Sequence, residues 1–159
     1  MRYTGTYAVL LVLHLLTVAF VVGPAAAAAV VSARHARQGQ AQALRAASRM
    51  TRLYTLGAVV TILLGSAMIG LGDVGGQWDF GQLWVSASYA LSIVAIAVVL
   101  GLLVPAQLAA ARAIEGATGG PDAGQRAGTA VAGRIAAGGG IAMLAWSAVI
   151  VLMVVKPGA

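Results

Sequence analysis

Four long runs without a single Asp, Glu, Lys or Arg divide the chain: Tyr7–Val31, Leu53–Leu71, Leu83–Val104 and Ile135–Val155. A helix needs about 20 residues to cross the ~30 Å hydrocarbon core of a bilayer, with roughly 17–25 accepted, and all four runs fall in that range. A transmembrane β-barrel would show shorter segments that alternate apolar and polar positions. These runs are apolar on every side, so each is predicted to be a helix that satisfies its own backbone hydrogen bonds in lipid. The expected fold class is all-α: a polytopic membrane protein, one domain over residues 1–159, with four transmembrane helices in an antiparallel bundle.

The connections orient the bundle. Residues 32–52 carry Arg34, Arg37, Arg45, Arg49 and Arg52 and no acid, and residues 105–134 carry Arg112, Arg126 and Arg134 against Glu115 and Asp122. On the other side stand only Arg2 and Lys156, so eight basic residues face two. By the positive-inside rule both long basic loops are cytoplasmic and both termini lie outside. Trp78 and Trp84 flank the middle loop as an interfacial aromatic belt would. The Ala25–Ala29 tract and the Val31-Ser32-Ala33 step resemble a signal-peptide cleavage site. The run is long, however, and cleavage would export the five-Arg segment, so the first helix is expected to be retained.

The first basic loop favours helix through its Ala, Gln, Arg and Leu content, with a break at Gln38-Gly39-Gln40. Arg45, Arg49 and Arg52 then share one face and suit anionic lipid headgroups, each contact contributing about 1 kcal/mol near the surface. In the second basic loop Gly116, Gly119, Gly120, Pro121, Asp122, Gly124 and Gly128 predict a flexible stretch. Ala and Leu resume after Pro105, so helix 3 is expected to run on as far as Glu115.

Composition agrees with a lipid environment. The 159 residues are 60% hydrophobic and 9% charged, with mean hydropathy +0.93, against about 25% charged in soluble domains. The absence of cysteine excludes disulfides, iron–sulfur clusters and thiolate zinc sites. The dominance of Arg over Lys, with abundant Ala, Gly and Val, suggests a GC-rich bacterial genome.

Small residues four apart let helix backbones approach closely in lipid. Gly57, Thr61 and Gly65 on helix 2, Ser88 and Ser92 on helix 3, and Gly138 and Ala142 on helix 4 are the expected packing positions, inside one bundle or at a dimer face. Gly23-Pro24 should kink helix 1, since Pro24 removes the backbone bond to the Phe20 carbonyl. Gly70-Leu71-Gly72-Asp73-Val74-Gly75 matches the G-x-G-x-x-G spacing of dinucleotide sites, but it follows a membrane helix where that fingerprint requires a preceding strand. No nucleotide is expected there. Asp73 and Asp79 read as solvated loop charges.

His14 is the one ionisable side chain within a predicted span, and such residues are functional candidates by default. A neutral imidazole can ligate haem iron or copper or relay a proton. The simpler role is a hydrogen bond to a neighbouring helix, with Thr17 one turn away. Met68, Met143 and Met153 are the available weak partners for a metal held by His14.

Taken together, His14 with Gly23-Pro24, the basic loop, Leu64-Gly65 ending helix 2, the loop Trp residues and the Pro105-Ala106-Gln107 exit from helix 3 resemble a family of small bacterial four-helix predicted integral membrane proteins of unknown function. That resemblance covers nearly the whole chain and implies a fold and a location. A fainter likeness runs to the copper-resistance D type and the HemJ-type membrane protoporphyrinogen oxidases, which place a His in an early membrane helix followed by small residues and a Pro. This chain has no Lys in a membrane span and no string of His residues, so the likeness implies neither oxidase activity nor copper transport for it.

The functional expectation is a non-enzymatic accessory or assembly component of a larger membrane complex, in a multi-pass position in a bacterial plasma membrane. No catalytic residue, metal cluster or cofactor is expected. Haem or metal binding through His14 is the alternative, and an oligomeric channel or transporter a further one. Expected partners are membrane lipids and a second copy or a larger assembly. Nucleic acid is not expected, because the arginines follow topology and lack stacking aromatics.

Overall fold

The computed structural model describes residues 5–70 and 79–157. Four long helices account for most of them: α1 (Gly5–Arg37), α2 (Ala41–Gly70), α3 (Leu83–Glu115) and α4 (Pro121–Val155), each long and apolar enough to cross a membrane. Among the described residues there is no strand. Trp78 and Asp73, most of the Gly70–Gly75 motif, and the end of the second apolar run at Leu71 lie outside the described residues.

Each helix runs on past its apolar run at the end that carries the arginines. α1 continues from Val31 to Arg37, α2 begins at Ala41, α3 reaches Glu115, and α4 starts at Pro121 instead of near Ile135. The two basic loops therefore shrink to short turns, residues 38–40 and 116–120. The first turn closes on Gly39, whose φ of +67° suits glycine, and the Gln40 amide donates to the His35 carbonyl. The second ends on Gly120 at φ +83°, with Pro121 at the first helical position and Asp122 in the first turn. A proline costs nothing there and an acid complements the helix dipole.

Gly124 and Gly128, expected in a flexible stretch, are instead helical contact positions. A Cβ added at Gly128 would come within 1.9 Å of the Ala36 carbonyl oxygen of α1, and one at Gly139 within 2.6 Å of the Ala29 Cβ. These glycines set how closely α4 approaches α1. Around them lies a core of small side chains: Ala29, Ala33 and Ala36 from α1, Leu44 from α2, Leu103, Ala106, Ala110 and Ala111 from α3, and Ala132 and Ile135 from α4. In lipid, close contact of this kind supplies the association energy that the hydrophobic effect supplies in water.

Three helices are tied together there by a buried polar group. Gln107 Nε2 donates to Ser32 Oγ at 2.9 Å and to Thr51 Oγ1 at 3.3 Å, while Ser32 Oγ donates to the Ala28 carbonyl at 2.6 Å. Gln107 is fully buried, and its Oε1 has no partner. At the surface of the same end Arg45 grips Glu115 with both arms of its guanidinium, Nε to Oε1 at 2.8 Å and an Nη to Oε2 at 2.6 Å. That pairing holds the Arg45 pKa up and the Glu115 pKa below the usual carboxylate range, chiefly through the side-chain hydrogen bonds.

Two helices widen by a π turn, α1 at Val18–Val22 and α3 at Val99–Leu103. Each lies just before a proline, Pro24 and Pro105, which cannot donate to the carbonyl four residues back and whose ring would collide with it. The widened turns also mark where partners change. Below its π turn α1 packs on both α4 and α2, and above it chiefly on α2. α3 packs on α4 on both sides of its π turn, and below it packs on α2 as well. The bundle is thus closed at the Arg-rich end and forked at the end that carries the termini.

Candidate functional site

The fork encloses a cavity of about 340 Å³ lined by all four helices. Tyr7, Leu11, His14 and Leu15 come from α1, and Thr61, Ile62, Gly65, Met68 and Ile69 from α2. Trp84, Val85, Ser88, Tyr89 and Ser92 come from α3, and Trp146, Val149, Ile150, Met153 and Val154 from α4, with Lys156 following it. The lining is dominated by large apolar and aromatic side chains, with a few convergent polar groups, as in small-molecule sites generally.

His14 is its polar centre. The side chain is 7% exposed, and Nδ1 lies 3.0 Å from the Thr61 carbonyl oxygen on α2. A carbonyl can only accept, so Nδ1 carries the proton and the lone pair is on Nε2. The Nδ1–Cε1 edge packs over Gly65, where an added Cβ would stand 3.2 Å from Cε1. The Nε2 side is thereby turned away from α2. Thr17, near at hand in sequence, is not the partner: its hydroxyl donates to the carbonyl of His14 at 2.8 Å.

The packing positions foreseen on helix 2 all serve this seam. Gly57 admits Val21, Thr61 supplies the carbonyl, and Gly65 makes room for the imidazole. On the other side Ser88 and Ser92 are buried, each hydroxyl bonded to the carbonyl one turn back, at 2.7 Å in both cases. Gly138 meets Leu102 and Leu103, and Ala142 is buried. Those small-residue faces are consumed within the bundle. Gly23 and Pro24 directly follow the π turn of α1. Arg45, expected to face lipid headgroups, holds Glu115, whereas Arg49 and Arg52 are exposed on the same helix. Trp84, expected in a lipid-facing belt, turns inward: it is 9% exposed, donates to Gln82 Oε1 at 2.9 Å, and has the Lys156 ammonium 5.8 Å from its ring centre. Ser66 and Tyr89 join α2 to α3 by a hydroxyl–hydroxyl hydrogen bond, a link that sequence alone did not single out.

Of the methionines, Met68 and Met153 line the cavity with His14, whereas Met143 lines a smaller cavity of about 90 Å³ nearer the Arg-rich end. Among the described residues no three His, Cys, Asp or Glu side chains converge.

Residues 8–157 match the model of a family described as predicted integral membrane protein (DUF2269). The chain belongs to this family. No curated protein and no solved structure matches it. As a DUF2269 protein it is an integral membrane protein with four apolar helices, and the family description carries no chemistry. The chemistry has to come from the His14 cavity.

Proposed function

We propose that this protein is a non-enzymatic component of a larger membrane assembly and that its fork would hold an iron porphyrin through His14. The observation that carries the reading is the bond from Nδ1 to the Thr61 carbonyl at 3.0 Å. Metal-ligating histidines almost always donate their other ring N–H to a carbonyl or carboxylate, which fixes the tautomer and makes the ligating nitrogen more basic. A bare ion would find one imidazole and little else, but a porphyrin brings four ligands of its own, so a single His suffices. The apolar and aromatic lining suits a macrocycle. The cavity volume of about 340 Å³ is at the low end of about 300–1,000 Å³ for small-molecule sites, and the cavity is only partly closed. Bound haem would supply a redox-active iron. His14 would hold it through Nε2, and the apolar lining would limit its contact with water.

A second reading rests on the same bond. His14 can be interhelical glue in a packing-only accessory subunit, in which case Nε2 has no ligand to meet. On the charge asymmetry, we assign the Arg-rich end to the cytoplasm and the termini to the outside of a bacterial plasma membrane. The deciding experiment is the absorption spectrum of protein purified from cells supplied with haem. A Soret band in the wild type that is lost in His14→Ala is the expected result. Absence of the band, or a band indifferent to that substitution, removes haem and leaves the glue.

A further inference from the structure

We infer that the fork is a side-opening lipid site, entered between α1 and α4 and filled at rest by an acyl chain of a bilayer phospholipid. The inference stands apart from the haem reading: any other ligand of the fork arrives through the hydrocarbon layer and displaces that chain.

The two sides of the fork differ. Above the π turns α1 packs chiefly on α2, and α3 on α4, so two hairpins face each other across the cavity. Where α2 faces α3, the hydrogen bond between Ser66 and Tyr89 spans the gap, and the Phe80 ring lies 6.2 Å from that of Tyr89. Where α1 faces α4, the wall is open. Leu15 lines the cavity from α1 yet is 56% exposed, and Val154 lines it from α4 at 77%. Ile150, another lining residue of α4, is exposed too. One flank of α1 is covered by α2 and one flank of α4 by α3. A side chain of either helix that lines the cavity and still meets the surroundings therefore borders the gap between α1 and α4.

That gap lies in hydrocarbon. From Gly5 to Leu15 a helix advances about 15 Å, roughly half of the ~30 Å core. Leu15, Ile150 and Val154 offer water no hydrogen bond at the opening. An apolar cavity of about 150 Å³ stays dry and accepts benzene, and the fork has about 340 Å³, room for several methylenes of a chain. Lipid tails are as apolar as the helix faces, so no hydrophobic force draws the two hairpins shut. A chain in the gap restores the dispersion contacts that the lining residues cannot make with one another. The phospholipid is the occupant because its chains are the apolar molecules most concentrated at the opening.

The test uses Trp146, which lines both the fork and the smaller cavity, as the sole tryptophan in a Trp78→Phe/Trp84→Phe background. The protein is reconstituted without haem in phosphatidylcholine vesicles. Phosphatidylcholine brominated at mid-chain quenches an indole that it touches, and iodide in the aqueous phase quenches one that water reaches. Brominated lipid should remove most of the Trp146 fluorescence, and iodide should leave it intact. Leu15→Phe combined with Val154→Phe enlarges two exposed side chains at the opening and should abolish most of the quenching by brominated lipid. Leu144→Phe, at an exposed position of α4 that does not line either cavity, should leave that quenching unchanged, which separates a blocked opening from added surface bulk. Trp146 untouched by brominated lipid, or quenched equally in the double variant, overturns the inference. Quenching by iodide also overturns it, since the fork would then be filled with water. The absorption spectrum of haem-supplied protein is independent of all these outcomes, so either reading can fail alone.

Discussion

Gly128→Ala is the smallest perturbation that tests how the closed half is held. The added Cβ would lie 1.9 Å from the Ala36 carbonyl oxygen, 2.9 Å from the Ala36 carbonyl carbon and 3.1 Å from Ile114 Cδ1. Ordinary contact begins near 3.4 Å, so the α1 backbone must retreat by about 1.5 Å. That backbone cannot rotate away as a side-chain tip could, and overpacking of this kind costs about 1–3 kcal/mol. Replacing Gly by Ala in a helix returns roughly 0.5–1 kcal/mol, and since the 1.9 Å clash is with backbone the cost lies toward the upper end of its range, which leaves a net loss of about 2 kcal/mol. Gly133, five residues on in the same helix, is the control: an added Cβ there meets nothing within 4 Å. Gly133→Ala should therefore gain the propensity term and nothing else. Thermal unfolding in detergent, followed by tryptophan fluorescence, should move the midpoint down for Gly128→Ala and up for Gly133→Ala. Equal midpoints for the two variants, or a Gly128→Ala midpoint at or above wild type, would refute the claim that the α1–α4 approach is set by missing side chains.

Gly65→Val should displace the imidazole, since an added Cβ alone lies 3.2 Å from Cε1; retention of full haem-dependent absorbance in this variant would count against the His14 geometry. Gln107→Leu gives up two hydrogen bonds of roughly 0.5–1.5 kcal/mol each but also removes an orphaned buried acceptor that costs about 1–3 kcal/mol, so its stability should stay within about 1 kcal/mol of wild type by denaturant titration. The Arg45–Glu115 pair stabilises only while Glu115 is ionised, and its lowered pKa places the loss below the ordinary carboxylate range as pH falls; unfolding of Glu115→Gln should accordingly lack that acid-side step. For topology, a cysteine placed at Gly158 should be labelled by an impermeant reagent from outside intact cells, and labelling only after lysis would reverse the assignment.

The parts of this fold that were legible in the sequence are those fixed by lipid. Four apolar runs report four membrane crossings because the bilayer penalises any charge within them, so the runs stand out without knowledge of partners. The helical extensions at the Arg-rich end carry no such mark. Residues 32–37 and 121–134 mix Ala and Gly with Arg, and Gly128 looks like a hinge until the neighbour that needs its missing side chain is known. Part of its spacing was there to be read: Gly124, Gly128 and Ala132 lie four apart, and all three are buried on α4 as Gly138 and Ala142 are. Pro24 was legible as a kink, but the π turn before it, and the parallel case at Pro105, were not, because nothing local distinguishes a widened turn from an ordinary bend. His14 was legible as a buried polar group. Its acceptor is a backbone carbonyl 47 positions away, and no residue type announces that.

The difference between the two halves of the bundle follows from side-chain size. Where the four helices converge, the contacts are Ala on Ala and Gly on carbonyl, and the backbones come together until the polar knot at Gln107 is sealed. In the fork the facing residues are Leu11, Leu15, Ile62, Trp84, Tyr89, Trp146 and Met153, which are too large to let two hairpins close to the same distance. The π turns lie between these regimes and absorb the change of direction in α1 and α3. Stability is therefore concentrated in one half and the His14 cavity in the other, an arrangement in which the site can be left imperfectly packed without unravelling the bundle. One consequence separates the two functional readings. Both keep the bond from His14 to the Thr61 carbonyl, so in either case His14→Ala should lower the thermal stability of the apo protein by about 0.6–2 kcal/mol, the range for an interhelical hydrogen bond in lipid. Only if the fork receives haem should added haem stabilise the wild type, and that stabilisation should then disappear in His14→Ala.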